Sequence, residues 1–121
     1  MIKASCHCGN VQIEINAKAD SLTSCNCSIC HRIGARWAYF NPKDISISHQ
    51  NFPTNEYQWG DKMINFHHCP QCGGTTHYTP VDKSSTRMAI NFRHVAKELT
   101  QELPIKYFDG ADTWKFVEEP F

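Results

Sequence analysis

Apolar and polar residues alternate over Val11-Gln12-Ile13-Glu14-Ile15, over Ile45-Ser46-Ile47-Ser48, and again from Arg87 to Phe92. This period of two predicts half-buried β-strands, each turning one face to a core. Arg36-Trp37-Ala38-Tyr39-Phe40 is β-prone through its aromatic side chains. Together with the turn residues Asn41-Pro42-Lys43-Asp44, it predicts a strand consecutive and antiparallel with the one that starts at Ile45. Glu56 to Trp59 and Met63 to His68 flank Gly60-Asp61-Lys62 as two arms of a hairpin. Gly73-Gly74 then reverses the chain so that Thr75 to Thr79 pairs back. Ile105 to Phe108 reads as a strand ending at the turn Asp109-Gly110, and the tail to Phe121 has no decisive period.

Helix signals are few. Ser28 is placed to cap one or two helical turns through Ile33, with Gly34 as terminator. Val95 to Leu103 suits a short helical turn or a loop. Asn16 to Ser24 is polar and predicts a loop, with Ser24 already in a short strand that delivers Cys25. The reading is a mainly β chain with at most one or two short helices. It shows no repeat and no linker, and its 121 residues fit a single domain spanning 1–121.

Charge narrows the partners. Twelve basic and twelve acidic residues cancel, and neither sign forms a run. The footprint expected for nucleic acid or an anionic membrane is therefore missing. No stretch reaches the roughly 18 apolar residues of a membrane span, and no apolar leader precedes Cys6. A soluble, cytoplasmic protein is expected.

In that compartment thiols stay reduced, so seven cysteines in 121 residues point to metal or redox chemistry and away from disulfides. They divide as Cys6-His7-Cys8, Cys25-Asn26-Cys27-Ser28-Ile29-Cys30 and Cys69-Pro70-Gln71-Cys72. An odd number would leave one thiol over in a disulfide framework. A structural zinc takes four protein ligands, while a catalytic zinc takes three and keeps one position open.

Cys69-Pro70-Gln71-Cys72-Gly73 has the form of a zinc knuckle. Its rivals are two ordinary buried cysteines or a thioredoxin-type redox pair, and a redox pair belongs on a strand-to-helix turn, not in a hairpin. Cys6 and Cys8, also followed by a turn glycine, are its natural partners in a four-thiolate zinc site. Loop-closure entropy grows slowly with length, and structural zinc contributes on the order of 10 kcal/mol, so closing the long loop is readily offset.

Cys25, Cys27 and Cys30 can hold a metal from one local segment. Two readings stay open for them: an accessible fourth position, or closure by His31, His67, His68 or His77 as a second staple. An iron–sulfur cluster would want a fourth cysteine, which the other site has taken. Arg32, Arg36, Lys62 and Arg93 could grip carboxylates of a small anion, although the usual place of such residues is a solvated face. Trp37, Tyr39, Trp59 and Phe66 suit core or rim. No Ser-His-Asp set, phosphate-binding glycine loop or paired carboxylates are present.

The order Ser5-Cys6-His7-Cys8-Gly9-Asn10-Val11, then Cys25-Asn26-Cys27-Ser28-Ile29-Cys30-His31-Arg32, then His68-Cys69-Pro70-Gln71-Cys72-Gly73 resembles the glutathione-dependent formaldehyde-activating enzyme family, which includes centromere protein V. The resemblance implies a Mss4-like fold of coiled antiparallel β-sheets stapled by zinc, with two zinc ions per chain. One would be structural, on Cys6, Cys8, Cys69 and Cys72; the other would be of catalytic type, on Cys25, Cys27 and Cys30. It implies a carbon–sulfur lyase-type enzyme acting on a thiol, glutathione, and a small aldehyde, formaldehyde, to form or cleave S-(hydroxymethyl)glutathione. The alternative is a zinc-stabilised Mss4-like protein-binding module without catalytic activity.

Overall fold

The computed structural model describes residues 1–121 and is mainly β. In chain order the first half holds β1 (Ile2–Ser5), β2 (Val11–Ile15), β3 (Leu22–Cys25), helix α1 (Ser28–Ile33), β4 (Trp37–Phe40) and β5 (Ile45–His49). The second half holds β6 (Asn55–Tyr57), β7 (Ile64–His68), β8 (Thr75–Pro80), β9 (Met88–Asn91), α2 (Lys97–Thr100), β10 (Ile105–Phe108) and β11 (Phe116–Val117). No helix is long and apolar enough to cross a membrane.

The strands make two sheets. A three-stranded one has the order β1-β2-β5, and an eight-stranded one runs β11-β10-β3-β4-β9-β8-β7-β6. Every neighbouring pair is antiparallel except β3 and β10, which are parallel with Cys25 opposite Phe108. Alternation explains how the large sheet serves two cores. Ala38, Phe40, Met88 and Ile90 project to the side where Val11, Ile13 and Ile15 of the small sheet are buried. Trp37 and Ala89, the intervening residues, project to the opposite side, where they join Phe66, Tyr78, Ala35 and Cys30. A one-residue slip in this register would exchange the two cores.

The predicted strands and both predicted hairpins of β6 to β8 are present. One expectation is corrected: β4 and β5 are consecutive in the chain but do not pair. β4 lies between β3 and β9, whereas β5 pairs with β2 in the other sheet, placing Ile47 opposite Ile13 and Ile45 opposite Ile15. The segment between them is a 3-10 turn over Pro42–Asp44, capped by the Asn41 side chain accepting from the Lys43 N–H at 3.0 Å. This turn carries the chain from one sheet to the other instead of closing a hairpin. The sequence reading passed over β1 and β11. Ile2 and Ala4 alternate with Lys3 and Ser5, a pattern too short to carry the assignment before its partner β2 is known.

Candidate metal centres

Both cysteine pairs sit at hairpin tips. Cys6-His7-Cys8-Gly9 caps the β1–β2 hairpin, and Cys69-Pro70-Gln71-Cys72-Gly73 caps the β7–β8 hairpin. Gly9 and Gly73 take φ of 83° and 78°, left-handed values that a side chain disfavours and that turn each tip back on itself. The four sulfurs come together within 4.8 Å of one another. Cys6 Sγ lies 3.7 Å from Cys8 Sγ, which lies 3.6 Å from Cys69 Sγ. Zinc–sulfur bonds of about 2.3 Å in a tetrahedron separate the sulfurs by about 3.8 Å, so the spacing fits zinc.

Donors surround this site. The N–H groups of Val11 and Gln71 point at Cys6 Sγ (3.2 Å) and Cys69 Sγ (3.3 Å), and the Gln71 side-chain amide donates to Cys8 Sγ at 3.2 Å. Asn10, read in the sequence only as a turn residue, is buried and reaches Cys69 Sγ at 3.5 Å. Its amide also donates to the Phe52 carbonyl, while its oxygen accepts from the N–H groups of Asn51 and Phe52. One side chain thereby ties loop 50–54 to the sulfurs. Burial raises the Cys69 pKa, but the N–H groups of Cys72 and Gln71 outweigh it and hold the thiol at about 6. Burial pushes Cys6 up to about 11 despite the Val11 N–H. A cation bound by four thiols so placed would release their protons.

The second cluster is built from one segment. β3 ends at Cys25, and α1 begins after Cys27, whose sulfur accepts the Cys30 N–H at 3.5 Å. Cys27, and not Ser28 as predicted, is therefore the N-cap. Gly34 terminates the helix as expected, in the left-handed conformation with its N–H on the Cys30 carbonyl. The three sulfurs also lie within 4.8 Å of one another, and no histidine or carboxylate side chain joins them. His31 is exposed, and His67 and His77 are engaged elsewhere. Threonine hydroxyls of Thr54 and Thr79 take both ring nitrogens of His67 at 2.8 Å, and Thr76 takes Nδ1 of His77 at 2.7 Å.

Trp37 donates its indole N–H to Cys30 Sγ at 3.4 Å. The neighbouring Cys30 thiol holds the Cys25 pKa down to about 6 against burial, helped by the Cys27 and Gly110 N–H groups. Cys30 is pushed well up by the Cys25 thiol beside it and by burial. The loop after β10 closes against the triplet. A Cβ on Gly110 would sit 2.7 Å from Cys25 Sγ and 3.4 Å from Cys27 Cβ. Asn26, between two of the cysteines, donates to Asp109 Oδ1 at 2.9 Å and accepts from the Ala111 N–H at 3.0 Å. The sequence reading found Asp109-Gly110 as a turn but not as a wall of this site, because the contact spans 83 positions.

The triplet opens on a cavity of about 870 Å³. Trp37, Tyr39, Trp59 and Phe66 all line it, together with Tyr78 and Trp114. Of the four basic residues singled out in the sequence, none lines it. Arg32 and Arg93 instead border a separate depression of about 490 Å³ with His94. There they donate to the Ser28 and Gly34 carbonyls at the two ends of α1. The basic residue in the thiol cavity is Arg87, held 4.0 Å above the Tyr39 ring.

Two hairpin tips closing one four-thiol site, beside a three-thiol segment open to a cavity, define a β-domain with two cysteine clusters that could each hold a metal ion. Residues 1–107 match the model of the glutathione-dependent formaldehyde-activating enzyme family, and the chain belongs to that family. It is also similar to the crystal structure of a Rhodobacter sphaeroides protein, at 29% identity and a TM-score of 0.68, over 86% of this chain and 99% of that one. At the level of the family, this places its chemistry with glutathione and formaldehyde.

Proposed function

We propose that residues 1–121 act as one zinc-binding domain that catalyses carbon–sulfur bond formation or cleavage between a thiol and a small aldehyde. Glutathione and formaldehyde are the pair the family is named for, giving S-(hydroxymethyl)glutathione in a cytoplasmic setting. Cys6, Cys8, Cys69 and Cys72 would hold a structural zinc, and Cys25, Cys27 and Cys30 a catalytic one. The observation that carries this reading is the second cluster: three thiols, no fourth His, Cys or carboxylate donor, and a cavity that all three line.

In the reaction the thiol sulfur bonds to the carbonyl carbon, the carbonyl π pair moves to oxygen, and the proton lost by the thiol ends on that oxygen. Cleavage is the reverse, and no oxidant or reductant is needed. Zinc, when bound, supplies a positive centre that keeps a thiol ionised or polarises the aldehyde oxygen. The chain supplies the rest. Cys27 is fixed by its capping bond and Cys30 by the Trp37 N–H, so the donor set is pre-organised before substrate arrives. Aromatic walls exclude water, which strengthens electrostatic interactions inside the cavity.

The test is exchange spectroscopy on ¹³C-labelled formaldehyde and glutathione. The protein is expected to accelerate exchange between free aldehyde and adduct, and Cys27→Ser to abolish the acceleration. An exchange rate indifferent to the protein, with glutathione and with a benzylic thiol alike, would remove the enzyme reading and leave the protein-binding module.

A further inference from the structure

The cavity that receives the thiol has walls poorly matched to a peptide with several charges. Of its 19 lining residues 14 are hydrophobic, the three cysteines of the triplet among them. The inner wall is a packed aromatic set: Trp37 meets Tyr78 edge-on at 4.9 Å, and Tyr78 meets Phe66 at 5.6 Å. Two lips extend it outward. One is the β6–β7 hairpin tip with Trp59 and Met63; the other is the C-terminal segment with Trp114 and Phe116. These lips account for much of the exposed apolar surface, with Trp59 51% and Trp114 71% exposed.

Trp114 adds an independent observation. Its backbone has φ of 59°, a left-handed conformation that is an outlier for a bulky residue. The fold holds it there, with its ring edge-on to Phe108 at 5.1 Å and its N–H on the Asp109 carbonyl. Strain retained at a cavity lip points to a ligand-facing role for the indole.

Charged groups in the cavity number two. Asp61 already accepts the Met63 N–H, so its carboxylate shapes the hairpin turn. Arg87 has no carboxylate partner in the chain and lies over Tyr39. A glutathione molecule would bring two carboxylates, an ammonium and two peptide groups to walls that offer one free cation. Desolvated polar groups left unpaired weaken binding.

Resting on the reading that the triplet receives a thiol, we infer that the preferred thiol carries an apolar, ring-bearing body with a single carboxylate. The ring stacks between the two aromatic lips, the carboxylate reaches Arg87, and the sulfur reaches the cysteine triplet. The volume of about 870 Å³ lies in the range of small-molecule sites.

Isothermal titration of the zinc-loaded protein with four probes tests this: 4-(mercaptomethyl)benzoate, its sulfur-free analogue 4-methylbenzoate, uncharged benzyl mercaptan, and glutathione. The carboxylated benzylic thiol is expected to bind at least tenfold more tightly than glutathione and more tightly than 4-methylbenzoate. Trp59→Ala, at an exposed position, is expected to weaken that thiol about tenfold and glutathione less than twofold. Arg87→Met is expected to weaken it severalfold while leaving benzyl mercaptan unchanged. Glutathione binding as tightly as 4-(mercaptomethyl)benzoate would overturn the ligand class and leave the thiol reading intact. Equal binding of 4-(mercaptomethyl)benzoate and 4-methylbenzoate would overturn the thiol reading and leave the apolar body standing.

Discussion

The two cysteine clusters use the same donor atom and differ in how the fold encloses them. Cys6 and Cys69 are buried and belong to the core between the sheets, each with its sulfur at tetrahedral spacing from Cys8 Sγ inside a shell of N–H donors. They join two hairpin tips 61 positions apart in the chain. Cys25, Cys27 and Cys30 come from six consecutive residues; Cys30 is buried in the smaller core, while Cys25 and Cys27 are half-buried and border it. Loss of a ligand is expected to part the two hairpin tips at the first cluster and to leave the chain path unchanged at the second.

The largest effect separating the two is expected from Cys72→Ser. Structural zinc in small domains contributes on the order of 10 kcal/mol, comparable to the whole net stability of a domain, so this variant is expected to be unfolded or insoluble. A dispersed, native-like NMR spectrum would break the comparison.

Acid should loosen the half of the sheet that carries the closed site. His77, stacked on His67 at 4.3 Å, is neutral in the fold because burial lowers its pKa from 6.5 to about 3. Below pH 6.5 the unfolded chain gains a proton that the folded one refuses, so stability falls as pH drops towards about 3. The slope approaches about 1.4 kcal/mol per pH unit for this one group. Denaturant unfolding at stepped pH checks it: His77→Gln is expected to lose that part of the slope and keep whatever comes from the thiols.

Gly110→Ala sharpens the contrast from the other side. Its methyl would press on Cys25 Sγ and the Cys27 Cβ, and overpacking of this kind costs about 1–3 kcal/mol. Metal titration is expected to show weakened binding at the triplet with the four-thiol site untouched. Trp37→Phe should have the smallest effect. It keeps an aromatic side chain in the core, smaller than the buried indole, and removes the N–H to Cys30 Sγ; the lost hydrogen bond lowers metal affinity at the triplet by about 1 kcal/mol, roughly fivefold.

Much of this was legible in the sequence where the signal is local. The knuckle Cys69-Pro70-Gln71-Cys72-Gly73, the β6–β8 hairpins and the helix from Ser28 to Gly34 each carry their determinants within a few residues. The separation of β4 from β5 was not legible, because alternation reports that a strand has a buried face and not which sheet lies beneath it. The parallel pairing of β3 with β10 has the same character, and it delivers Gly110 to Cys25. The cavity was half-visible: Trp37, Tyr39, Trp59 and Phe66 were noted singly, but only the pairing of β4, β9, β8 and β7 puts three of them on one face. Arg87 was overlooked in favour of Arg32 and Arg93, which sit nearer the cysteines or α1 but donate to helix carbonyls.

Native mass spectrometry of Cys27→Ser, beside the unaltered protein, tests the division of labour most directly. Serine caps a helix at least as well as cysteine, so α1 should survive the change. The account predicts two zinc ions per chain in the unaltered protein, and in the variant one zinc with the narrow, low charge-state distribution of a folded chain. An unfolded, metal-free Cys27→Ser would contradict it, because the triplet would then be a second staple.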